Sequence, residues 1–193
     1  MNSSSIWEAI FRNQKCPVCK EDTLNLTQKE YEIEFYGPAI FLTGFCENCK
    51  FTYRDVLLLT SSEPSFIKLK ITSEELNATV VKSSTATILI PELKAKITPG
   101  PASEGYITTV EGILNRIEEA AWLMLSSLEG LKKEKCIKFL EKLQKAKKGE
   151  EEFNLIIKDP YGKSIIIPKK GKVVKRKLSK REIKKLMKVL KFE

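Results

Sequence analysis

Four cysteines stand in two pairs, Cys16-Pro17-Val18-Cys19 and Cys46-Glu47-Asn48-Cys49, with 26 residues between the pairs. Two residues between thiols let each pair close on one ion while the amides of the tight turn support the sulfurs. Four thiolates complete a tetrahedron and leave no position for water or substrate, which is the chemistry of one structural zinc ion. Two disulfides are the competing use of the same residues, and an intracellular protein disfavours them. A thioredoxin-type redox role does not account for two pairs. The fifth cysteine, Cys136, falls on an apolar helical face and reads as packing instead of a ligand.

Little else in the chain is equipped for catalysis. It has no histidine, which excludes Ser-His-Asp and Cys-His triads and removes the usual general base near neutral pH. Gly162-Lys163-Ser164 imitates the end of a phosphate-binding loop, but the glycine that such a loop needs would be at position 157, which is Ile157. An apolar strand-like run, Ile165 to Ile167, follows it in place of a helix. The expectation is a protein that is not an enzyme.

The elements that must hold the cysteines read as strands. Tyr31, Ile33 and Phe35 alternate with Glu30, Glu32 and Glu34, the period of a half-buried strand, and Gly37-Pro38 is predicted to turn the chain back toward the second pair. Ile6 to Phe11 is predicted as a short helical turn. Beyond Cys49, strands are expected at Tyr53 to Leu59, Ile67 to Ile71, Thr87 to Ile90 and Leu93 to Ile97, ended by Pro99-Gly100-Pro101. A helix follows, with Thr108 and Glu111 as its capping box, Ile113, Ile117, Ala120, Met124 and Leu128 on one face, and Gly130 as its stop. A second helix is expected from about 132 to 147, with Cys136, Phe139, Leu140 and Leu143 inward. Strands return at Phe153 to Ile157 and Ser164 to Ile167 around the turn Asp159-Pro160-Tyr161-Gly162. Strands, a helical pair, then strands again suggest a β-sandwich or a double-stranded β-helix with an inserted helical hairpin.

Charge divides the chain differently. The 193 residues carry a net charge of +9, yet Pro168 to Glu193 alone holds 12 Lys and Arg against two Glu. The body is therefore near neutral and the tail basic, a composition that offers RNA or the ribosome a contact surface. Ser179 and Glu182 form a capping box ahead of Ile183, Leu186, Met187 and Leu190, the stripe of an amphipathic helix; Phe192 is the tail's one aromatic. No apolar run reaches the roughly 18 residues of a membrane span. The expected setting is cytoplasmic, without membrane contact.

The two cysteine pairs are followed in order by Val80-Val81-Lys82-Ser83, Ile90-Pro91-Glu92-Leu93, Ile97-Thr98-Pro99-Gly100, Thr108-Thr109-Val110-Glu111-Gly112, and Asp159-Pro160-x-Gly162. This series resembles the ZPR-type zinc-finger proteins, of which archaea have single-copy members, over about residues 10 to 167. The resemblance implies a mainly β chain: a zinc ribbon at 1–60, then a double-stranded β-helix, jelly-roll-like, at 61–167. A helical hairpin is inserted at about 108–147, and a basic tail with an amphipathic helix occupies 168–193. Eukaryotic relatives carry the unit twice, and this chain carries it once. The resemblance also implies an adaptor or chaperone role toward translation elongation factor 1-alpha; some relatives associate with receptor cytoplasmic tails. Partner contacts would fall in the matched loops, at Lys82, Ser83, Thr109, Glu111, Asp159 and Gly162. Each has a purely structural use as well: Thr109 and Glu111 can start a helix, and Asp159 to Gly162 can turn a hairpin. Lys163 stands where the family often has Asn. The tail is expected to be separable from the fold. A nucleic-acid- or ribosome-associated ribbon that uses this tail is the competing reading.

Overall fold

The computed structural model describes residues 7–33, 37–59, 63–100 and 103–190. Strands β1 (Trp7–Gln14), β2 (Leu24–Ile33), β3 (Gly37–Cys46) and β4 (Thr52–Leu58) form an antiparallel four-stranded sheet in chain order. Trp7–Phe11 is thus strand and not the expected helical turn, paired from Trp7↔Glu30 to Phe11↔Leu26. A lone helical turn has a costly nucleus, and an edge strand laid on a ready-made partner does not. Ile6 lies outside the described residues, as do Phe35, Pro101 and Phe192. The pairing Ile33↔Gly37 puts Gly37 and Pro38 inside β3 and not in the expected turn; Gly37 has φ of 82° at the start of the strand.

The second unit has two antiparallel sheets. One runs β12-β5-β10-β7-β8, from β5 (Ser65–Ile71), β7 (Thr87–Ile90), β8 (Ala95–Ile97), β10 (Phe153–Asp159) and β12 (Val174–Lys177). The other runs β11-β6-β9, from β6 (Thr79–Lys82), β9 (Tyr106–Thr109) and β11 (Ile165–Ile167). Period-2 alternation in β5 and β10 sends Ile67, Leu69, Ile71, Phe153, Leu155 and Ile157 into one core. Each such side chain stabilises the fold by roughly 1.5–3 kcal/mol on burial. The three-stranded sheet is apolar on both faces. Val80 and Ile166 join that core, whereas Val81 and Ile165 pack with Ala39, Val56 and Leu58 of the first sheet.

Helices α1 (Val110–Leu125) and α2 (Gly130–Lys147) form the inserted hairpin. The cap of α1 is Thr109, one residue later than expected: its hydroxyl accepts from the Gly112 amide at 3.1 Å. The buried face is correspondingly Val110, Ile113, Leu114 and Ala121, while Ala120 and Met124 are exposed. Gly130 does not stop α1. It opens α2 with φ of 53°, and α1 ends earlier, at Ser126. Leu93 sits in a tight turn that begins at Pro91, whose ring fixes φ, so the strand resumes only at Ala95.

The basic tail belongs to the fold, which corrects the expectation of a separable segment. β12 pairs with β5 from Val174↔Lys68 to Lys177↔Ser65. Leu178 is buried, and its amide donates to the Pro64 carbonyl at 2.9 Å. The Glu75 carboxylate accepts from the amides of Lys169, Lys170 and Gly171 at 3.0, 2.7 and 2.7 Å. Burial by itself would raise the Glu75 carboxyl, but these three donors hold it below the ordinary range. Helix α3 (Lys180–Leu190) carries the reciprocal cap read from sequence: the Glu182 amide donates to Ser179 Oγ, and the Ser179 amide to the Glu182 carboxylate. Glu182 also pairs with Lys158 of β10 and with Arg176.

Ending the chain after Pro168 removes β12, uncovers the edge of β5 and orphans Glu75. A buried group left unsatisfied costs about 1–3 kcal/mol, and the lost ladder adds to it. The expected result is a melting temperature lower by roughly 10 °C at this chain size, measured by calorimetry. An unchanged melt would restore the tail to independence.

Candidate metal centre and flanking cleft

The two cysteine pairs sit on two turns built alike. Lys20 donates its amide to the Cys16 carbonyl at 3.0 Å, and Cys16 donates to Glu21 at 2.8 Å. Lys50 donates to Cys46 at 3.0 Å, and Cys46 to Phe51 at 2.8 Å. Lys20 and Lys50, each the residue after the second cysteine, adopt left-handed φ of 67° and 61°. The β2–β3 hairpin carries one turn back to the other, pairing Leu24 with Cys46.

The four sulfurs lie within 4.8 Å of one another. Cys16 and Cys49 stand 3.7 Å apart, as do Cys19 and Cys46. A tetrahedron with Zn–S bonds of about 2.3 Å has sulfur–sulfur edges of about 3.8 Å. A disulfide needs about 2.05 Å, and all the cysteines are free. The spacing therefore fits a metal and not a bridge. The Thr23 hydroxyl, 3.2 Å from Cys46 Sγ, lowers that thiol to about 6; desolvation opposes it and the Cys49 amide assists. The Cys49 amide stands 3.5 Å from the same sulfur. The centre is a closed four-thiolate site for one structural zinc ion, packed on Leu24, Leu26 and Phe51. Cys136, half-buried with its sulfur 3.6 Å from the Ala121 carbonyl, lies outside this cluster.

Three of the six residues expected to meet a partner, Lys82, Ser83 and Asp159, are buried, and Thr109 and Gly162 are half-buried. Asp159 is fully buried. Its carboxylate accepts from Ser83 Oγ at 2.8 Å, Ser164 Oγ at 2.6 Å and the Tyr161 amide at 2.9 Å. The Ser83 amide in turn donates to Ser164 Oγ at 3.0 Å. Ser83 and Asp159 thus lock the turn after β10 onto the end of β6, where a partner cannot reach them. Gly162 closes that turn at φ of 68°, and a Cβ there would meet the Glu63 carbonyl at 2.1 Å. Thr109 caps a helix, and Glu111 alone of the six is fully surface-exposed. Ser164 belongs to this buried network and not to a phosphate loop.

Lys82 is the exception in kind. It is 1% exposed, yet it lines a cleft of about 990 Å³ between the α-hairpin and strands β8 and β9. Desolvation lowers its ammonium to about 8 against the opposing pull of Asp159 and Asp55. Asp55, which sequence reasoning passed over, ties the first sheet to the second unit: its Oδ1 accepts from the Gly105 and Val56 amides, both at 2.9 Å, and Tyr53 donates to Oδ2 at 3.1 Å. The signal for it was an acid inside the apolar run from Tyr53 to Leu59. A second overlooked feature is the hairpin tip, where Trp122, Leu123, Met124 and Leu131 are all exposed. Its signal was the run Ala120 to Leu125, apolar on every side of the helix.

Comparison with known proteins gives these features a context. The family described as the ZPR1 jelly-roll domain matches residues 74–188, so the match includes β12 and most of α3. An uncharacterised ZPR1-like protein of Methanocaldococcus jannaschii is 41% identical over 175 residues, covering 89% of this chain and 87% of its own. Another, of Pyrococcus horikoshii, is 35% identical over 179 residues, covering 90% and 79%. A zinc finger chaperone of Schizosaccharomyces pombe is 29% identical over 159 residues, which is 78% of this chain but 34% of the yeast protein.

Replacing Cys46 by Ser removes one ligand of the closed set. Zinc, expected at one ion per chain by metal analysis after gel filtration, falls to a small fraction of that. The first sheet unfolds before the second unit, because binding a structural zinc contributes a large share of a small ribbon's folding free energy. A Cys46→Ser chain that retained its zinc and its melting curve would refute the ligand assignment.

Proposed function

Because the chain belongs to the ZPR1 zinc-finger family, we propose that it is a non-enzymatic, chaperone-like adaptor whose partner is translation elongation factor 1-alpha. The observation that carries this reading is the hairpin tip. Trp122 and Leu123, 56% and 79% exposed, stand with Met124 and Leu131 around the reversal between α1 and α2. A contiguous apolar group held out on two helices marks a protein-contact surface, and large aromatic side chains dominate such contacts. The yeast relative, a zinc finger chaperone, supports the same class of function. The lack of histidine and the closure of the thiolate site support a binding role over a catalytic one.

In a pull-down, the zinc-loaded chain is expected to retain elongation factor 1-alpha from the same source. Trp122→Ser combined with Leu123→Ser should weaken retention at least tenfold without lowering the melt, since both side chains are solvent-exposed. Failure of the unaltered chain to retain the factor would sink the assignment of partner.

One observation favours a second reading, contact with RNA. Arg176 and Lys177 of β12 are neutralised by Glu182 and Glu63, but Lys180, Arg181, Lys184, Lys185 and Lys188 of α3 form no ion pair with any described carboxylate. If α3 tracks phosphates, filter binding of RNA should weaken steeply as salt rises from about 50 to 200 mM. Binding that is absent or indifferent to salt removes this reading.

A further inference from the structure

The cleft beside the hairpin is ringed by six cations, Arg54, Lys82, Lys94, Lys96, Arg116 and Lys135, and by one acid, Glu104. None of the six forms an ion pair with a described carboxylate. Lys82 and Arg116 share the Tyr106 ring, at 5.4 and 4.4 Å from its centroid, and of the two only Lys82 also feels nearby carboxylates, those of Asp159 and Asp55. The ammonium of Lys82 has three donors, and one of them goes to the Ser83 carbonyl at 2.9 Å. The nearby carboxylates of Asp55 and Asp159 are already taken up by amides and hydroxyls. Between the cations the wall is apolar, formed by Ile97, Ile117, Leu128 and Phe139.

We propose that this cleft docks a short acidic segment of a partner protein, with apolar side chains on Ile117 and Phe139 and carboxylates on Arg116 and Lys96. The charge pattern selects the occupant. An unneutralised cationic rim attracts and orients an acidic chain, and an apolar floor rewards side chains that a nucleic-acid backbone does not have. The volume of about 990 Å³ accommodates a few side chains and excludes a folded domain. The inference does not rest on Trp122 and Leu123, which do not line the cleft, although Met124 beside them does.

The test is selection of displayed random 12-residue peptides on the zinc-loaded full-length chain, followed by fluorescence anisotropy with a labelled peptide from the selected pool. The pool is expected to be rich in Asp and Glu interspersed with Leu, Ile and Phe. Arg116→Glu combined with Lys96→Glu should weaken binding at least tenfold, and Lys96→Glu alone, which keeps the Arg116–Tyr106 contact, should weaken it with an unchanged melt because that side chain is exposed. Trp122→Ser with Leu123→Ser should leave peptide affinity as it was, which separates this outcome from that of the elongation-factor experiment. An empty, neutral or basic pool, or affinity indifferent to the cleft variants, overturns the proposal. So does displacement of the peptide by RNA or by phosphatidylserine vesicles at lower concentration than by the unlabelled peptide.

Discussion

The second unit depends on one ladder, the antiparallel pairing of β5 with β10 over seven residue pairs from Ser65↔Asp159 to Ile71↔Phe153. Its inward side chains are the centre of the main core, and β12 and β7 attach to its two sides. The partners are far apart in the chain, so residues 72–152, including the whole helical hairpin, must be accommodated before the ladder closes. Non-local pairing of this kind makes folding slow for its size. The buried Asp159 stands at the last pair of the ladder and binds the end of β6 through Ser83. Closing the ladder therefore also fixes the second sheet.

Metal and core divide the stabilisation between them. Among the described residues only Leu24, Leu26 and Phe51 pack around the cysteines, a cluster too small to hold four strands without the ion. At the opposite end of the same sheet Ala39, Val56 and Leu58 pack on Val81 and Ile165. The sheet is thus pinned by zinc at one end and by apolar contact at the other. Asp55 adds a buried hydrogen-bonded tie to Gly105 beside that second end. A glycine is needed there, since a Cβ would come within 2.2 Å of the carboxylate.

Much of this was legible in the residues. Cysteine spacing gave the metal centre; alternation from Ile67 to Ile71 gave β5, and the strand-like runs Thr87 to Ile90 and Phe153 to Ile157 gave β7 and β10, all to within two residues. The Ser179–Glu182 pair gave the cap of α3. What misled was information that local pattern does not contain. Trp7 to Phe11 is a strand only because β2 is there to pair with it. Ala120 and Met124 share the helical spacing of Ile113 and Ile117 but lie beyond the edge of the core, over the cleft. Val174 to Lys177 has no burial pattern at all, being exposed at every residue, so a basic tail concealed an edge strand. In the motif Val80-Val81-Lys82-Ser83, alternation places Lys82 on the same inward side as Val80, which surface intuition about lysine does not suggest.

The pairing of Ser65 with Lys177 also says something about how such units can be strung together. The strand by which the chain comes into the jelly roll and the strand by which it leaves are hydrogen-bonded neighbours, separated by one strand spacing of about 4.8 Å. A polypeptide that departs beside its point of arrival can be duplicated in tandem, or grafted into a longer protein, by a connector of a few residues. No strand of the sandwich has to be rerouted for this.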